Sequence, residues 1–338
     1  MNKEILVLRQ LRAIATQYIV CSLMVIGAFV LGTQAHAQAA DTYPTKPIKI
    51  VVGFAPGGGS DFIARIVAQK LTQQLGQTVF VENRPGAGGN LGAEIALKAP
   101  GDGYTLFLAA TSYTVNANLY KLPFDPIKDI TAIARLASGP FIIATNPNLS
   151  IPNLKALVDL AKKEPGKLSY ASAGSGSITH VATEYFLTTA GIDVLHVPYK
   201  GTSPALTDTI SGQVQFIFGT VASTMPHVQS GKLTALAVTT AQRLAALPNV
   251  PTVMESGYPN FDVSVWHGLI GPKGIPADIV LKINQAVRTA LNDPLMAQQL
   301  ASDGLTASSD TPEEFTALIA QEVSRWGALV KSRGITLK

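Results

Sequence analysis

The sequence predicts an α/β fold in which parallel-rich sheets are flanked by helices. Short β-branched stretches alternate with longer stretches whose apolar residues recur at helical spacing, which is typical of strand–helix units. In the first unit, the strand at residues 48–52 leads through a loop with Pro56 and three glycines to a helix at 61–75. The chain is 47% hydrophobic, with 29 glycines and 21 prolines, which indicates a globular protein with many turns.

Two further units follow before an apolar crossing segment. The alternation predicts strands at 78–82 and 104–109, with a helix at 91–98 between them. Residues 130–144 are extended and apolar, and Gly139 and Pro140 are expected to break them. We interpret this segment as the passage into a second domain.

The second domain is predicted to repeat the pattern. Its expected helices are 153–163, 179–190 and 204–211, and its expected strands are 168–171, 194–197, 214–218 and 233–238. The tail contributes a strand at 263–270 and helices at 277–291 and 294–302. A last helix begins with Thr311 as N-cap, Pro312 at N1 and Glu314 at N3, which is a capping box.

The N-terminus reads as a signal peptide, residues 1–37. A basic start precedes an apolar run at 19–32, and Ala35-His36-Ala37 matches a cleavage site after Ala37. The alternative is a membrane anchor, but the apolar run is shorter than the ~20 residues that a spanning helix needs. The mature chain would lack cysteine, because Cys21 is the only one. An export signal on such a chain predicts the bacterial periplasm.

Charge and motifs exclude several classes of function. The net charge of +4 comes without a Lys/Arg cluster, so no nucleic-acid partner is expected. The chain has no P-loop, complete dinucleotide fingerprint or G-x-S-x-G elbow, and its four histidines after residue 37 are scattered. The absence of these motifs makes catalysis less expected without excluding it, and we predict a protein that is not an enzyme and has no cofactor or metal. We also expect a monomer.

Two small-residue loops are candidates for holding an anion. Residues 51–61 and 172–180 each join a strand end to a helix start, where backbone N–H groups and the positive helix end suit a negative charge. The alternatives are ordinary: glycine is common in such turns, and Ser177 or Thr179 caps the following helix.

Several stretches of the chain match the sequence pattern of a known protein family. The chain resembles the Bug, or TctC-like, extracytoplasmic solute-binding proteins of tripartite tricarboxylate transporters. The matching stretches occur in family order at residues 43–48, 51–61, 81–89, 102–106, 196–201, 226–227, 236–239, 247–253 and 311–315.

The resemblance implies a two-domain clamshell of the periplasmic-binding-protein type (type II-like) that closes on a small organic carboxylate. Domain 1 would combine residues 42–143 with 257–338, and domain 2 would be 144–256. The family's carboxylate lies between the two loops, held by N–H groups, hydroxyls and waters. Partners would be the ligand and the permease subunits of the transporter.

The site residues that the resemblance implies come from both domains. Domain 1 would supply Phe54, Ala55, Gly58, Ser60, Asp61, Thr111 and Ser112, and domain 2 would supply Ser172, Ser175, Gly176, Thr179, His180, Tyr199 and Gly201. Four of these have a structural alternative: Asp61 as a helix cap, Phe54 in the core, Tyr199 in a turn, and His180 bonded only to protein.

Two positions depart from the family pattern. Gly219 and Thr220 replace an Asp-Asn pair that many relatives carry, and His267 replaces an aromatic residue. The first departure removes a negative charge from the expected far end of the pocket, and the second would add a hydrogen-bonding or cationic group. We hypothesise a ligand with a second carboxylate or another polar acceptor, such as the aromatic dicarboxylate terephthalate.

Two rival functions stay open from sequence. A sensor would present the bound acid to a signalling receptor. A hydrolase or isomerase would use Ser60 or Ser175 as a nucleophile.

Overall fold

The computed structural model describes residues 43–337 except 303 and 309. The predicted signal peptide lies outside these residues. Ten strands form one continuous sheet in the order β2-β1-β3-β9-β4-β7-β5-β6, and β8 and β10 also pair with β4. The strands are β1 Ile48–Val52, β2 Val79–Asn83, β3 Thr105–Ala110, β4 Ile130–Thr145, β5 Ser169–Ser172, β6 Leu195–Pro198, β7 Phe216–Thr220, β8 Thr234–Val238, β9 Ser264–Pro272 and β10 Thr306–Ala307.

Ten helices connect the described strands. They are α1 Gly59–Leu75, α2 Asn90–Leu97, α3 Thr111–Asn116, α4 Leu154–Lys163, α5 Ile178–Ala190, α6 Thr202–Ser211, α7 Val221–Gln229, α8 Ala277–Leu291, α9 Pro294–Ser302 and α10 Pro312–Arg333. The capping box predicted for α10 is present, with Thr311 and Glu314 exchanging side-chain and backbone hydrogen bonds. Among the described residues, no helix combines the length and the apolarity that crossing a membrane requires.

The long strand β4 joins two halves of the sheet. We call β1–β3, β9, β10 and residues 130–140 the first half, and β5–β8 with residues 141–145 the second half. The predicted break at Gly139 and Pro140 is wrong, because β4 runs through both residues. Residue Pro140 ends the pairing with β9, and Phe141 begins the pairing with β7. Proline has no backbone N–H to donate. At Pro140 this lack falls where β4 changes its pairing partner from β9 to β7.

Each half has a parallel centre and antiparallel borders. Strand β1 pairs in parallel with β2 and β3, and β5 with β6 and β7. Every antiparallel pair in the described sheet involves β4 or β9. The parallel strands of both halves are followed by helices. The loops at the carboxyl ends of these strands therefore lie where the two halves meet.

Two short helices and one strand were not predicted from the sequence. Helix α3 spans six residues directly after β3, α7 contains Pro226, and β10 has two residues. None offers the repeated apolar spacing from which longer helices are recognised. Helices α3 and α7 matter nonetheless, since both begin beside the cavity described below.

Candidate functional site

Five strands of the sheet are each followed along the chain by a helix whose first turn lies beside one cavity. The pairs are β1–α1, β3–α3, β5–α5, β6–α6 and β7–α7. In the described chain, α1, α3, α6 and α7 have no side-chain cap at their N-terminal residue. The first N–H groups of a helix lack helical partners and carry partial positive charge. The fold thus directs several backbone donors and dipoles of one sign toward one space.

The cavity has a volume of about 20 Å³ and is lined by both halves. Seven predicted site residues lie on its wall: Phe54, Gly58, Ser60, Ser112, Thr179, Thr220 and His267. The lining contains no Asp, Glu, Lys or Arg side chain. Any negative charge inside would therefore be balanced by helix ends, N–H groups and hydroxyls.

One wall of the cavity joins the first loop to β9. Ser60 Oγ lies 3.1 Å from His267 Nε2. Burial lowers the pKa of the His267 imidazole to about 4, so the ring is neutral at pH 7. A neutral ring favours the hydrogen-bonding role expected for His267 over the cationic one. Its hydrogen-bonding role stays open, since Nδ1 has no partner among the described residues.

Asp61 faces its own loop and does not line the cavity. Its carboxylate accepts hydrogen bonds from the Gly57 N–H (3.0 Å), Arg65 Nε (2.9 Å) and Asn83 Nδ2 (2.9 Å). Burial alone would raise the pKa of this carboxyl, but the three donors outweigh burial and hold the pKa below its ordinary value. Asp61 thus fixes the shape of the first loop.

The second loop organises its own hydroxyls before α5 begins. Ser177 Oγ accepts the His180 N–H (3.3 Å) and lies 2.9 Å from Thr179 Oγ1. Thr179 Oγ1 in turn accepts the Ala173 N–H over 2.9 Å. The capping role foreseen for Ser177 is present, and both Ser177 and Thr179 also line the cavity.

Four predicted residues of the second loop lie behind this wall. Ser172 Oγ bonds His196 Nε2 (2.6 Å), and His180 Nδ1 accepts the Gly176 N–H (3.3 Å). The Ser175 carbonyl accepts from Tyr120 Oη over 2.8 Å. These residues shape the loop, and their direct contact with a ligand stays a prediction.

Four further predicted residues also bond to protein rather than line the cavity. Thr111 Oγ1 accepts the Trp266 N–H (2.8 Å), and the Ala55 N–H donates to the Lys200 carbonyl (2.9 Å). Tyr199 Oη donates to Asp208 (2.6 Å), and burial with this bond raises the pKa of Tyr199 to about 12. Gly201 packs on Ala55, where a Cβ would lie 2.9 Å from the Ala55 nitrogen.

The two halves touch directly around the cavity. The Ile178 N–H of the second half donates to Ser112 Oγ of the first over 2.9 Å. Gly59 lies so close to Thr220 that a Cβ would be 2.7 Å from Thr220 Oγ1. The loops are therefore in a closed arrangement, in which the backbone of each half meets a hydroxyl side chain of the other.

Seven lining residues were not predicted: Gly59, Ala110, Ala173, Ser177, Ile178, Thr202 and Val265. A signal existed for two of them. Val265 lies two residues before His267 on β9, and alternate residues of a strand share a face. Thr202 begins α6 directly after Gly201, where a helix N-terminus is expected.

With the geometry established, comparison with known proteins identifies the family. The family model "Tripartite tricarboxylate transporter family receptor" matches residues 63–335. Protein BugT of Bordetella pertussis is 36% identical over 320 residues, covering 94% of this chain and 98% of BugT. The chain belongs to the tripartite tricarboxylate transporter receptor family.

Solved structures agree with this assignment. Periplasmic binding protein BugD is 35% identical with a TM-score of 0.85, covering 87% of this chain and 99% of BugD. The R. palustris protein Rpa4515, solved with adipate, is 31% identical with a TM-score of 0.84 over 87% of this chain and 99% of its own. The predicted family and the α/β binding-protein fold are confirmed, and the receptor is a solute-binding protein rather than an enzyme.

Proposed function

We propose that this receptor captures a small organic carboxylate in the periplasm and delivers it to the permease subunits of a tripartite tricarboxylate transporter. The observation that carries this proposal is the cavity wall, on which helix N-termini and hydroxyls converge and no charged side chain stands. A cation would meet repulsive helix dipoles there. A neutral apolar solute would leave the uncapped donors unpaired.

The proposed mechanism is closure of two domains, residues 42–143 with 257–338 and residues 144–256. A ligand that contacts both loops binds the closed form more tightly than the open form, so it shifts the population toward closure. The direct contacts between Ser112 and Ile178 and between Gly59 and Thr220 would form during the same step. The permease would then recognise the closed surface.

Within the carboxylates, we favour a dicarboxylate, and among these an aromatic one such as terephthalate. His267 and Thr220 line the cavity together and provide a neutral imidazole and a hydroxyl. The absence of an acidic side chain from this lining leaves room for a second ligand carboxylate. The relative solved with adipate, also a dicarboxylate, supports this direction.

A thermal-shift screen of mono- and dicarboxylates tests the proposal, because a ligand that binds only the folded state raises its stability by mass action. We expect at least one dicarboxylate to raise Tm by several degrees, and His267→Phe to reduce its affinity. If His267→Phe left affinity for every tight-binding acid unchanged, the second-carboxylate part would be lost. If no organic acid shifted Tm, the whole proposal would fail.

The rival function, a sensor for a signalling receptor, differs in its genetic consequences. Deletion of a transport receptor abolishes uptake of the acid. Deletion of a sensor abolishes induction while uptake continues. Cell fractionation of the full chain, with N-terminal sequencing of the exported form, checks the periplasmic location and cleavage after Ala37.

A further inference from the structure

A second cavity opens from the carboxylate cavity into the first half of the sheet. This side cavity has a volume of about 10 Å³ and shares Phe54, Ala110 and Ser112 with the larger cavity. Aromatic rings of Phe107 and Tyr113 form its apolar wall. Tyr113 Oη donates to the Pro126 carbonyl over 2.9 Å, so the ring presents carbon rather than a free hydroxyl.

Two asparagines also line the side cavity, and their amide orientation is determined by their partners. Asn116 Nδ2 donates to the Gly88 carbonyl over 3.1 Å and to Asn90 Oδ1 over 3.0 Å. A carbonyl oxygen can only accept, so Asn116 must present its NH₂ group to Gly88. It follows that the Asn116 oxygen and the Asn90 NH₂ group are the two amide atoms that these hydrogen bonds leave unused.

Both remaining groups are buried and unpaired. Asn116 is 1% exposed, and neither Asn116 Oδ1 nor Asn90 Nδ2 has a hydrogen-bond partner among the described residues. Burying an unpaired donor or acceptor is costly, so folded proteins rarely leave two together. An unpaired acceptor and an unpaired donor on residues that line the same cavity suit a group that can both donate and accept a hydrogen bond.

The chemistry of that group follows from the pair. A hydroxyl or a carboxamide can donate to Asn116 Oδ1 and accept from Asn90 Nδ2. An ionised carboxylate can satisfy only Asn90, and its oxygens would face the Asn116 oxygen. Gly176 of the second half packs closely against this acceptor, because a Cβ on Gly176 would lie 2.4 Å from Asn116 Oδ1.

We infer that the side cavity is a second recognition subsite, which holds a neutral hydroxyl or carboxamide substituent of the same carboxylate ligand. This inference rests on the proposed function, since the carboxylate itself would occupy the larger cavity. The receptor would thereby prefer hydroxy or carbamoyl acids over unsubstituted acids of equal charge.

Calorimetry on the full mature chain with charge-matched acids tests the subsite. Malate is compared with succinate, and 4-hydroxybenzoate and 4-carbamoylbenzoate are compared with benzoate. On at least one frame we expect the substituted acid to bind about tenfold or more tightly, which two ordinary hydrogen bonds supply. Asn90→Leu and Asn116→Leu should reduce that ratio to within about twofold, while affinity for the unsubstituted acid changes less.

Asn118→Leu is the matched control, since Asn118 Nδ2 bonds the carbonyls of Thr114 and Val323 and does not line the side cavity. It should keep the wild-type ratio even if it lowers stability. The wild-type ratios decide the matter where a leucine variant fails to fold. Binding of acids with ratios near one on every frame would mean that water alone fills the side cavity, and this would overturn the inference while leaving the proposed function intact. Failure of all the acids to bind would overturn both.

Discussion

Ser112 and Ile178 are joined by a 2.9 Å hydrogen bond that connects the two halves of the sheet. The donor is the first N–H of α5, which has no partner within its own helix. The acceptor is a hydroxyl on α3, which begins directly after β3. Because donor and acceptor belong to different halves, this bond requires the first turn of α3 to meet the first turn of α5. It therefore contributes to the closed form and is lost when the loops separate.

Ser112→Ala should weaken ligand binding by favouring the open form. One ordinary hydrogen bond stabilises by about 1 kcal/mol, which predicts a loss of roughly fivefold in affinity for any acid that binds the wild type. Calorimetry measures the change. Ser230→Ala is the control, because Ser230 Oγ bonds the Pro226 carbonyl in an exposed position. Equal losses in the two variants would contradict a role in closure.

Gly59→Ala should hinder closure by a steric route. The new Cβ would lie 2.7 Å from Thr220 Oγ1, which is closer than atoms tolerate, so the halves must move apart. We expect affinity to fall at least about tenfold, with the stability of the free protein maintained because alanine favours a helix over glycine by up to about 1 kcal/mol. Small-angle scattering with ligand should report a larger radius of gyration than for the wild type.

Gly58→Ala separates this effect from a general loss of loop flexibility. The nearest atom to its Cβ would be Thr202 Cβ at 3.6 Å, which is an ordinary contact. Its affinity should fall less than that of Gly59→Ala. If Gly59→Ala closed fully around the ligand, the loops would be more adaptable than the packing indicates.

The sequence was most informative where structure is decided locally. Thr311 and Glu314 form the expected capping box, and helix Ala277–Leu291 has the predicted bounds, because caps and apolar spacing act within one element. The glycine loop was likewise expected to meet a cavity, since loops at carboxyl ends of parallel strands gather at one edge. Such features need only neighbouring residues.

The direction of each polar side chain could not be predicted in this way. Asp61 turns toward its own loop because Asn83, 22 residues away, supplies a donor. Thr111 Oγ1 turns toward the Trp266 N–H, 155 residues away. Asp61 stands at a predicted helix start and Thr111 just after a predicted strand, yet the partners of both come from other strands. Contacts of this range depend on the assembled sheet, and a single sequence contains no local sign of them.

Asp61→Asn should destabilise the folded protein without removing a cavity-lining group. The variant loses the ion pair with Arg65 and weakens the bond from the Gly57 N–H, which predicts a loss of about 1–2 kcal/mol in the free energy of unfolding. Urea titration measures it. Asp159→Asn is the control, because its pair with Lys155 is exposed and should be worth less than about 0.5 kcal/mol. A loss of affinity with unchanged stability would instead indicate that Asp61 contacts the ligand.

His267 should make the free protein less stable as the pH falls from about 6.5 to 4. Its folded pKa of about 4 lies below the ordinary value of 6.5, so the unfolded chain binds more protons across this window. Stability therefore rises with pH between these values, by at most about 1.4 kcal/mol per pH unit, and the effect amounts to roughly 3 kcal/mol over the window. Above pH 7 the His267 ring is neutral in both the folded and the unfolded state. Its contribution to the free energy of unfolding is then at its maximum and no longer changes with pH.

His267→Phe removes the titrating group and should flatten the pH profile of the unfolding free energy in that window. Urea titrations at half-unit steps from pH 4 to 7.5 measure both profiles, and their difference cancels the carboxylates that titrate in the two proteins alike. His227→Gln is the control: burial lowers the pKa of His227 too, but this ring is only partly buried and the variant should alter the profile less. Superimposable profiles for wild type and His267→Phe would mean that water reaches the ring and that the cavity is more hydrated than its packing indicates.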